Sequence, residues 1–448
     1  MPWHEPHYRK RAVFEVGDLQ YVKLPEGARA GRIKVVDETG AALPHWTETL
    51  EISASRPVAA ARDVHYGFPY MVRAANGALL LFYRVGQSHA SDAAVLALRM
   101  SRDRGRTWSA ERIVHRDPRP THGAHNPTAV VTPSGRVILF VSAVGWQTNP
   151  IVRDSLLWSW SDDHGESWAK FERFDPSADR STYYMTDAIA TQGGLLTVAA
   201  TFPPSGIGPC WNLFWHSEDG RAWRVLTALT QPEENRGDEI GLMETAPGVI
   251  LALHRARRRP GESGYPKALW RRWSRDNGRT WSEPENLYEM LGRCILQKPL
   301  MTRLDATTIL LAGRDQERKL VVAYVSRDNG QTFGERHVID AYVADGAYTS
   351  SVAVEPGHAV MAYYTDVAAE PGKPDILQVS VKLSVTPRRA AFRAKGRAYL
   401  YFDGPEWPEQ RTDTRVPVGR AMAEPVLVEE RRQGTIPSPP SAARSPQR

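Results

Sequence analysis

The sequence has 448 residues, of which 42% are hydrophobic, and its 57 Lys and Arg against 51 Asp and Glu give a net charge of +6. This apolar share supports a large core, and the slight basic excess without a recognised nucleic-acid-binding motif argues against a nucleic-acid partner. No stretch approaches 18 consecutive apolar residues, which excludes an ordinary membrane-spanning helix.

The N-terminal residues and the cysteines bear on the cellular compartment. The opening stretch, MPWHEPHYRK, lacks the apolar segment of a secretory signal, so we expect a cytoplasmic protein, or a secreted one if a signal has been removed. The two cysteines, Cys210 and Cys294, make no disulfide framework. The sequence predicts no cofactor and does not indicate an oligomeric state.

The two ends of the chain differ in composition from its middle. Residues 1–55 contain strand-like runs such as 32–36, which could complete a larger ring, pack beside it or form a small extra sheet. Residues 404–448 form a C-terminal extension that is rich in Pro, Ser and Arg beyond about residue 424. Such a composition buries too little apolar surface to order itself, so we expect disorder there.

One motif recurs through residues 56–403. Five segments follow the pattern S-x-D-x-G-x-[TS]-[WF], one of them a residue shorter, and their starts lie 52 to 60 residues apart, at Ser101, Ser161, Ser217, Ser274 and Ser326. An Asp side chain that accepts backbone N–H bonds and a Gly with positive φ are typical of a tight turn. The spacing indicates repeated structural units, with the final aromatic residue packing inward.

Short apolar runs separate these turns. Examples are 78–83, 137–141, 195–199, 249–253 and 308–312, each after a turn that bears Gly, Pro or Asp. No segment has a long helical period, and about 55 residues with four short strands are typical of a propeller blade. We therefore predict an all-β, six-bladed β-propeller with four-stranded antiparallel blades, or seven blades if the N-terminal region contributes one.

The repeated turns resemble the Asp boxes of the sialidase (neuraminidase) superfamily, also called BNR repeats. The resemblance covers roughly residues 64–383 and implies a carbohydrate-active protein whose site lies on the propeller axis. Asp boxes are specific for the fold and say little about activity, so each site position is compared separately. The first-blade Arg that holds the sialic acid carboxylate corresponds to Gly67, a departure that affects the whole carboxylate clamp.

Other positions match the family's catalytic pattern. Tyr348 corresponds to the nucleophile, Glu239 to the base that activates it and Asp92 to the acid/base carboxylate, since a phenol approaches an anomeric carbon beside a carboxylate without like-charge repulsion. Arg255 corresponds to the second clamp Arg, and the third is either Arg314 or Arg318. Each residue also has an ordinary structural explanation: a rim Tyr that caps a backbone group, or a loop Asp.

A second group of residues resembles uronate-directed lyases. His65 and His89 flank the second strand of the first blade, Arg84 lies at its end, and His125 and Asn126 open the second blade. In such lyases a His or Tyr abstracts the proton next to a uronate carboxylate. Buried, hydrogen-bonded His residues are the structural alternative. The scattered spacing, without an H-x-H pair, makes a metal site improbable.

Three functions follow from these patterns. The leading hypothesis is a retaining exo-glycosidase that removes a terminal sialic acid or related acidic sugar. The second is a polysaccharide lyase or related enzyme that acts on uronic-acid glycans, and the third is a glycan-binding propeller without catalysis. All three predict a glycan partner, most simply an acidic one.

Overall fold

The computed structural model describes residues 10–16, 29–37, 49–148, 151–174, 181–202, 211–230, 239–256, 264–384, 396–403 and 426–429. These residues contain strands, turns and irregular segments but no helix. Accordingly, the described part of the chain offers no apolar helix that could cross a membrane. The chain divides into two compact units, Ile52–Lys382 and a second made of Met1–Glu51 with Leu383–Arg448.

The smaller unit contains one four-stranded sheet. Its strands are β1 (Lys10–Val16), β2 (Arg29–Asp37), β28 (Gly396–Asp403) and β29 (Val426–Glu429), in the order β2-β28-β1-β29. The strand-like run 32–36 lies within β2. The expected disorder beyond about residue 424 concerns residues outside the described ones, except for β29.

The larger unit is a six-bladed β-propeller. Blade 1 comprises β5 (His65–Arg73), β6 (Leu79–Gly86), β7 (Val95–Ser101) and β8 (Arg112–His115). Blade 2 comprises β9 (Gly123–Val131), β10 (Val137–Gly145), β11 (Val152–Ser161) and β12 (Glu172–Arg173). Blade 3 comprises β13 (Ser181–Thr191), β14 (Gly194–Phe202), β15 (Trp211–Ser217) and β16 (Arg224–Thr230).

The remaining blades repeat this order. Blade 4 comprises β17 (Ile240–Ala246), β18 (Val249–Arg255), β19 (Leu269–Ser274) and β20 (Glu285–Asn286). Blade 5 comprises β21 (Leu296–Arg303), β22 (Ile309–Asp315), β23 (Leu320–Ser326) and β24 (His337–Ala341). Blade 6 contains β25 (Gly346–Glu355), β26 (His358–Thr365) and β27 (Asp375–Ser384), and it is preceded in the chain by β3 (Thr49–Ile52) and β4 (Arg56–Ala59).

Blade 6 closes the ring with a strand from the beginning of the unit. β4 pairs antiparallel with β27, so that Ala59 lies opposite Ile376 and Pro57 opposite Leu377. The start and the end of the unit therefore share one sheet, which joins the last blade to the first. The prediction of six antiparallel blades is confirmed, and the seven-blade alternative is wrong.

The second strand of each blade carries the core. The predicted apolar runs lie in β6, β10, β14, β18 and β22. Representative side chains in three of these strands, Leu79, Phe140 and Leu251, are fully buried. Such strands have neighbouring blades on both faces, so apolar residues continue along them without the alternation of a half-exposed strand.

The Asp boxes form the turns between the third and fourth strands. In the first, Asp103 accepts hydrogen bonds from Ser101 Oγ (2.8 Å) and from the backbone N–H of Thr107 (2.8 Å), while Ser101 Oγ accepts the N–H of Gly105 at 2.7 Å. The bond from the Thr107 hydroxyl, together with those from the Thr107 N–H and from Ser101 Oγ, lowers the pKa of Asp103 to about 2. The backbone donor lies four residues after the Asp here, and in the shorter third box the N–H of Arg221, two residues after Asp219, donates to it at 2.8 Å.

Each box also packs against the preceding blade. A methyl group on Gly165 of blade 2 would lie 2.9 Å from Leu80 Cδ1 of blade 1, and one on Gly330 of blade 5 would lie 2.4 Å from Leu251 Cδ2 of blade 4. The aromatic residue that ends the box also contacts the preceding blade: the ring of Trp168 packs edge-to-face against that of Phe82, with 5.6 Å between the ring centroids. The boxes are therefore structural, as predicted.

Cys294 is buried as a free thiol, and Cys210 lies outside the described residues.

Candidate active site

The innermost strands of four blades begin with a backbone irregularity. In β5, β9, β21 and β25 the register shifts near the first residues, and the residues with positive φ there are Phe68 (55°), Asn126 (44°), Lys298 (50°) and Ala347 (74°). Positive φ in non-glycine residues is costly and concentrates where side chains are held for function. These bulges bring side chains from different blades into one cluster.

The centre of the cluster is a Tyr–Glu pair. The Tyr348 hydroxyl donates to Glu239 Oε1 at 2.5 Å. Arg255 Nη1 lies 2.9 Å from the same carboxylate oxygen and 3.3 Å from the Tyr348 hydroxyl. Tyr348 and Glu239 are 8% and 4% exposed. The structure thus brings together three residues that lie up to 109 positions apart in the sequence.

Burial and charge separate the proton affinities of this pair. Burial acts to raise the pKa of Glu239, but the positive charges of Arg255 and Lys298 and the bond from Tyr348 together lower it. Burial and the negative charge of Glu239 raise the pKa of Tyr348 well above 10.0. The pair therefore rests as a neutral phenol hydrogen-bonded to a carboxylate, ready for the carboxylate to take the proton when the phenol oxygen forms a bond.

Arg314 covers the ring of the same tyrosine. Its guanidinium carbon lies 4.5 Å from the centroid of the Tyr348 ring and 5.0 Å from that of Tyr342. Its Nε donates to the carbonyl of Gly346 at 2.6 Å, and its Nη2 lies 3.2 Å from Asp345 Oδ1. Arg314 is thus held by blade 6 although it belongs to β22 of blade 5.

Asp345 connects several polar groups beside this pair. Its Oδ2 accepts from His65 Nε2 at 2.7 Å and from His89 Nδ1 at 2.8 Å, and its Oδ1 accepts from the Tyr364 hydroxyl at 3.2 Å. Burial acts to raise its pKa, but the bonds from His65 and His89 and the charge of Arg314 hold it far below the usual range. Asp345 is therefore a fixed negative charge within the cluster.

His65, His89 and Asp345 are also the only described residues whose side-chain ligand atoms are grouped closely enough to hold a metal ion, within 4.8 Å of one another. Arg84 Nη1, however, lies 3.3 Å from His65 Nδ1. A guanidinium only donates, so it assigns the lone pair to Nδ1 and the proton to Nε2, which then donates to Asp345. The arrangement fits a hydrogen-bonded network better than a metal site, for which Nε2 would have to be unprotonated.

An aromatic wall lies beside these histidines. The Phe68 ring packs 4.4 Å from His125, 5.1 Å from His89 and 5.8 Å from Tyr348, measured between ring centroids. Trp146 lies 5.0 Å from His125 and 6.3 Å from His89. The side chain of His89 is 49% exposed, so it is the accessible member of a site whose other members are buried.

Comparisons with known proteins agree with this architecture. Residues 99–361, more than half of the chain, match the family described as BNR repeat-like domain. The chain belongs to the BNR repeat-like domain family. No curated protein has a detectably similar sequence.

Several solved structures share the fold of this BNR repeat-like protein. A protein of unknown function from Dyadobacter fermentans DSM 18053 is 17% identical over 75% of this chain and 99% of its own, with a TM-score of 0.63. The intramolecular trans-sialidase from Ruminococcus gnavus is 13% identical over 72% and 96%, with a TM-score of 0.54. The Trypanosoma rangeli sialidase bound to the inhibitor DANA is 14% identical over 77% of this chain and 57% of its own, with a TM-score of 0.53. The predicted sialidase-like propeller is thereby confirmed as a fold.

The structure separates the two candidates for the third clamp Arg. Arg314 contacts Tyr348, as described above. Arg318 instead bonds Asp315 Oδ2 at 3.1 Å and the carbonyl of Arg293 at 2.9 Å. Arg318 therefore takes no part in the Tyr348 cluster of this BNR repeat-like protein.

Three other predicted residues have structural contacts. Asp92 Oδ1 accepts the backbone N–H of Trp146 at 2.5 Å and of Gln147 at 3.3 Å, so it anchors the turn after β10. Arg84 is fully buried and donates its Nε to the carbonyl of Ala124 at 3.1 Å. Asn126 is 9% exposed at the bulge of β9.

Sequence reasoning missed a group of residues that joins the inner strands. The Tyr70 hydroxyl of blade 1 donates to Asp187 Oδ1 of blade 3 at 2.5 Å, and Asp187 Oδ2 accepts the N–H of Leu242 of blade 4 at 2.7 Å. Lys298 Nζ of blade 5 donates to the carbonyl of Thr186 at 2.6 Å. These bonds link four blades to one another at their innermost strands.

Asp345 and Tyr364 were also missed. Asp345 lies three residues before Tyr348, and Tyr364 stands near the end of the second strand of its blade, as Arg84, Arg255 and Arg314 do in theirs. That recurring position is a signal in the sequence: in four of the six blades, the end of the second strand supplies a polar residue to the site.

Proposed function

We propose that this protein is a retaining glycoside hydrolase in which Tyr348 is the nucleophile and Glu239 its base. The observation that carries the proposal is the 2.5 Å bond from the Tyr348 hydroxyl to a carboxylate that Arg255 also contacts. A phenol with a raised pKa is a poor nucleophile alone, and a carboxylate placed to accept its proton removes that barrier.

The reaction has two balanced steps. First, the Tyr348 oxygen bonds to the anomeric carbon while its proton passes to Glu239, and the leaving oxygen departs with a proton from a second acid. Then water attacks the same carbon, the bond to Tyr348 breaks, and the phenol oxygen regains its proton from Glu239 while the second acid takes one from water. Arg255, 3.3 Å from the phenol oxygen, stabilises the negative charge that develops there when Tyr348 leaves.

His89 is the residue that we assign to the second acid, in place of Asp92. Its Nδ1 is bonded to Asp345 at 2.8 Å, which leaves Nε2 for proton transfer, and half of its side chain is exposed. Asp92 accepts two backbone N–H groups and is used to hold a turn. Replacing His89 by Ala should reduce hydrolysis of glycosides with poor leaving groups at least about a hundredfold while sparing dinitrophenyl glycosides. The same selectivity in Asp92→Asn, with His89→Ala unaffected, would return the role to Asp92.

The nucleophile is tested by release of 4-methylumbelliferone from a panel of glycosides that includes the sialic acid conjugate. Tyr348→Phe and Glu239→Gln should each lower kcat/KM at least about a thousandfold, because each removes a partner in the covalent step. Tyr363→Phe is a matched control, since its hydroxyl bonds Asp340 at 2.7 Å. Glu244→Gln is the second control, since that carboxylate accepts the N–H groups of Gln192 and Gly248.

Three outcomes would contradict this proposal. Hydrolysis that is unchanged in Tyr348→Phe would remove Tyr348 from the mechanism. An ultraviolet-absorbing unsaturated product from uronate polymers would favour the lyase, with His89 as base, because His65 is fully buried between Arg84 and Asp345. Binding on a glycan array without turnover would favour a non-catalytic propeller.

The predicted acidic sugar depends on the Arg clamp. Of its three positions, Arg255 and Arg314 lie beside Tyr348, and the third holds Gly67 in place of an Arg. Sialic acid as the substrate therefore remains a prediction from the sequence. The charged groups around Arg255 and Arg314 determine whether an acidic sugar can bind.

A further inference from the structure

The two clamp arginines already have anionic partners within the protein. Arg314 Nη2 lies 3.2 Å from Asp345 Oδ1 and 3.2 Å from the Tyr364 hydroxyl, and Nε is bonded to the Gly346 carbonyl. Arg255 Nη1 lies 2.9 Å from Glu239 Oε1. The side chains of Arg314 and Asp345 are each 12% exposed, so this pair is sheltered from the screening that weakens surface ion pairs.

The position of the missing Arg is filled. A side chain at Gly67 would place its Cβ 2.7 Å from His65 Cε1 and 3.4 Å from Tyr364 Cε2. Both of those residues bond Asp345, at 2.7 and 3.2 Å. Two side chains that donate to a protein carboxylate, His65 and Tyr364, therefore lie where the family pattern would put a cation for the substrate.

Arg84 does not replace the missing group. It lies opposite Gly67 in the β5–β6 register, but its guanidinium faces His65 Nδ1 at 3.3 Å and donates to the carbonyl of Ala124. It is fully buried. Its charge contributes to the field around Asp345 without reaching a ligand.

We propose that this site takes glycosides whose anomeric carbon carries no carboxylate, and that Asp345 supplies the corresponding negative charge from the protein. A sugar carboxylate bound to Arg314 would lie beside Asp345, and two like charges about 4 Å apart repel strongly in a partly buried site. With Asp345 in place the Tyr348 phenol still has a reason to serve as nucleophile, since a carboxylate nucleophile would face the same repulsion. This inference rests on the proposed function only in taking the Tyr348 face as the one that binds the sugar.

The inference is tested by binding, so that it does not depend on turnover. Calorimetry compares DANA, an unsaturated sialic acid with a free carboxylate, with its methyl ester, which has nearly the same shape and no charge. Sites built around an unoccupied Arg clamp should prefer the acid strongly. Here the wild-type protein should bind the acid no better than the ester.

Asp345→Asn removes the charge and keeps the shape. The variant should gain roughly a hundredfold to a thousandfold in affinity for the acid and little for the ester; a thousandfold is about 4 kcal/mol at 1.4 kcal/mol per tenfold. Asp340→Asn is the matched control, because it also removes one negative charge from this part of the propeller while its side chain bonds Tyr363. That control should leave the acid-to-ester ratio unchanged.

Three results would overturn the inference. One is a wild-type preference for the acid of tenfold or more over the ester. Another is a folded Asp345→Asn protein that gains no affinity for the acid. The third is an equal gain in Asp340→Asn, which would show a general charge effect. If Asp345→Asn fails to fold, the wild-type comparison alone decides. Absence of hydrolysis with every glycoside would remove the proposed function and leave these binding results intact.

Discussion

Gly330, in the fifth Asp box, is subject to two constraints: its backbone conformation and a close contact with the neighbouring blade. Comparison with a second glycine separates their effects on stability. Its φ is 87°, and a Cβ there would lie 2.4 Å from Leu251 Cδ2 of the preceding blade. Ala at this position therefore adds both backbone strain and a steric conflict at the contact between blades 4 and 5. Gly264 provides the matched control, since its φ is 80° and a Cβ there would meet nothing within 4 Å.

The size of the effect follows from these two terms. The left-handed backbone costs an Ala residue about 1 to 2 kcal/mol, and overpacking a close contact costs about 1 to 3 kcal/mol more. We expect Gly330→Ala to destabilise the propeller by about 2 to 5 kcal/mol and Gly264→Ala by about 1 to 2 kcal/mol. For a cooperative unit the size of Ile52–Lys382, at about 2.1 cal/mol/K per residue, a loss of 3 kcal/mol lowers the melting temperature by about 4 °C.

Calorimetry measures the backbone strain and the steric conflict separately. It compares the wild type, the Gly330→Ala and Gly264→Ala variants, Leu251→Ala, and the double variant Gly330→Ala/Leu251→Ala. Shortening Leu251 costs about 2 to 5 kcal/mol by itself, but it also removes the atom that the new methyl group meets. The double variant should therefore lose about 1 to 3 kcal/mol less than the sum of the single losses. Additive losses, or equal losses at Gly330 and Gly264, would refute the contact between blades as the cause.

Three further predictions concern the site. Gly67→Arg should lower the melting temperature by several degrees without creating DANA affinity in calorimetry, because its Cβ would lie 2.7 Å from His65 Cε1. Burial lowers the pKa of His125 well below 6.5, so protonation of the unfolded chain removes stability as the pH falls below about 6.5. Between pH 5 and pH 6, the free energy of unfolding of His125→Phe should change less with pH than that of the wild type. The slope should be smaller by about 1.4 kcal/mol per pH unit. Tyr70→Phe removes a 2.5 Å bond to the buried Asp187 and should cost about 1 to 3 kcal/mol in denaturant unfolding, whereas a loss below 0.5 kcal/mol would show that this bond is not stabilising.

Much of the fold could be predicted because the same local sequence motifs recur in successive blades. The boxes that begin at Ser101 and Ser274 recur at the spacing of one blade, and each blade must bury its second strand between two neighbours. The number of blades was less certain, because the last blade has no box. Its closure by β4 is a pairing between distant segments that no local pattern records.

The candidate site was predictable only where a residue lies within a family pattern. Tyr348, Glu239 and Arg255 could be named before their contacts were known. Asp345 could not, since an Asp three residues before a Tyr has no meaning until folding brings histidines from blade 1 to it.

The amino-acid sequence by itself determined the repeated blade, because turn chemistry and apolar runs are local properties that every blade repeats. Only the tertiary structure decided which charges neutralise one another at the centre. Electrostatic interactions depend on distance and burial, and residues such as Arg314 and Asp345, 31 positions apart, acquire both only when neighbouring blades pack together.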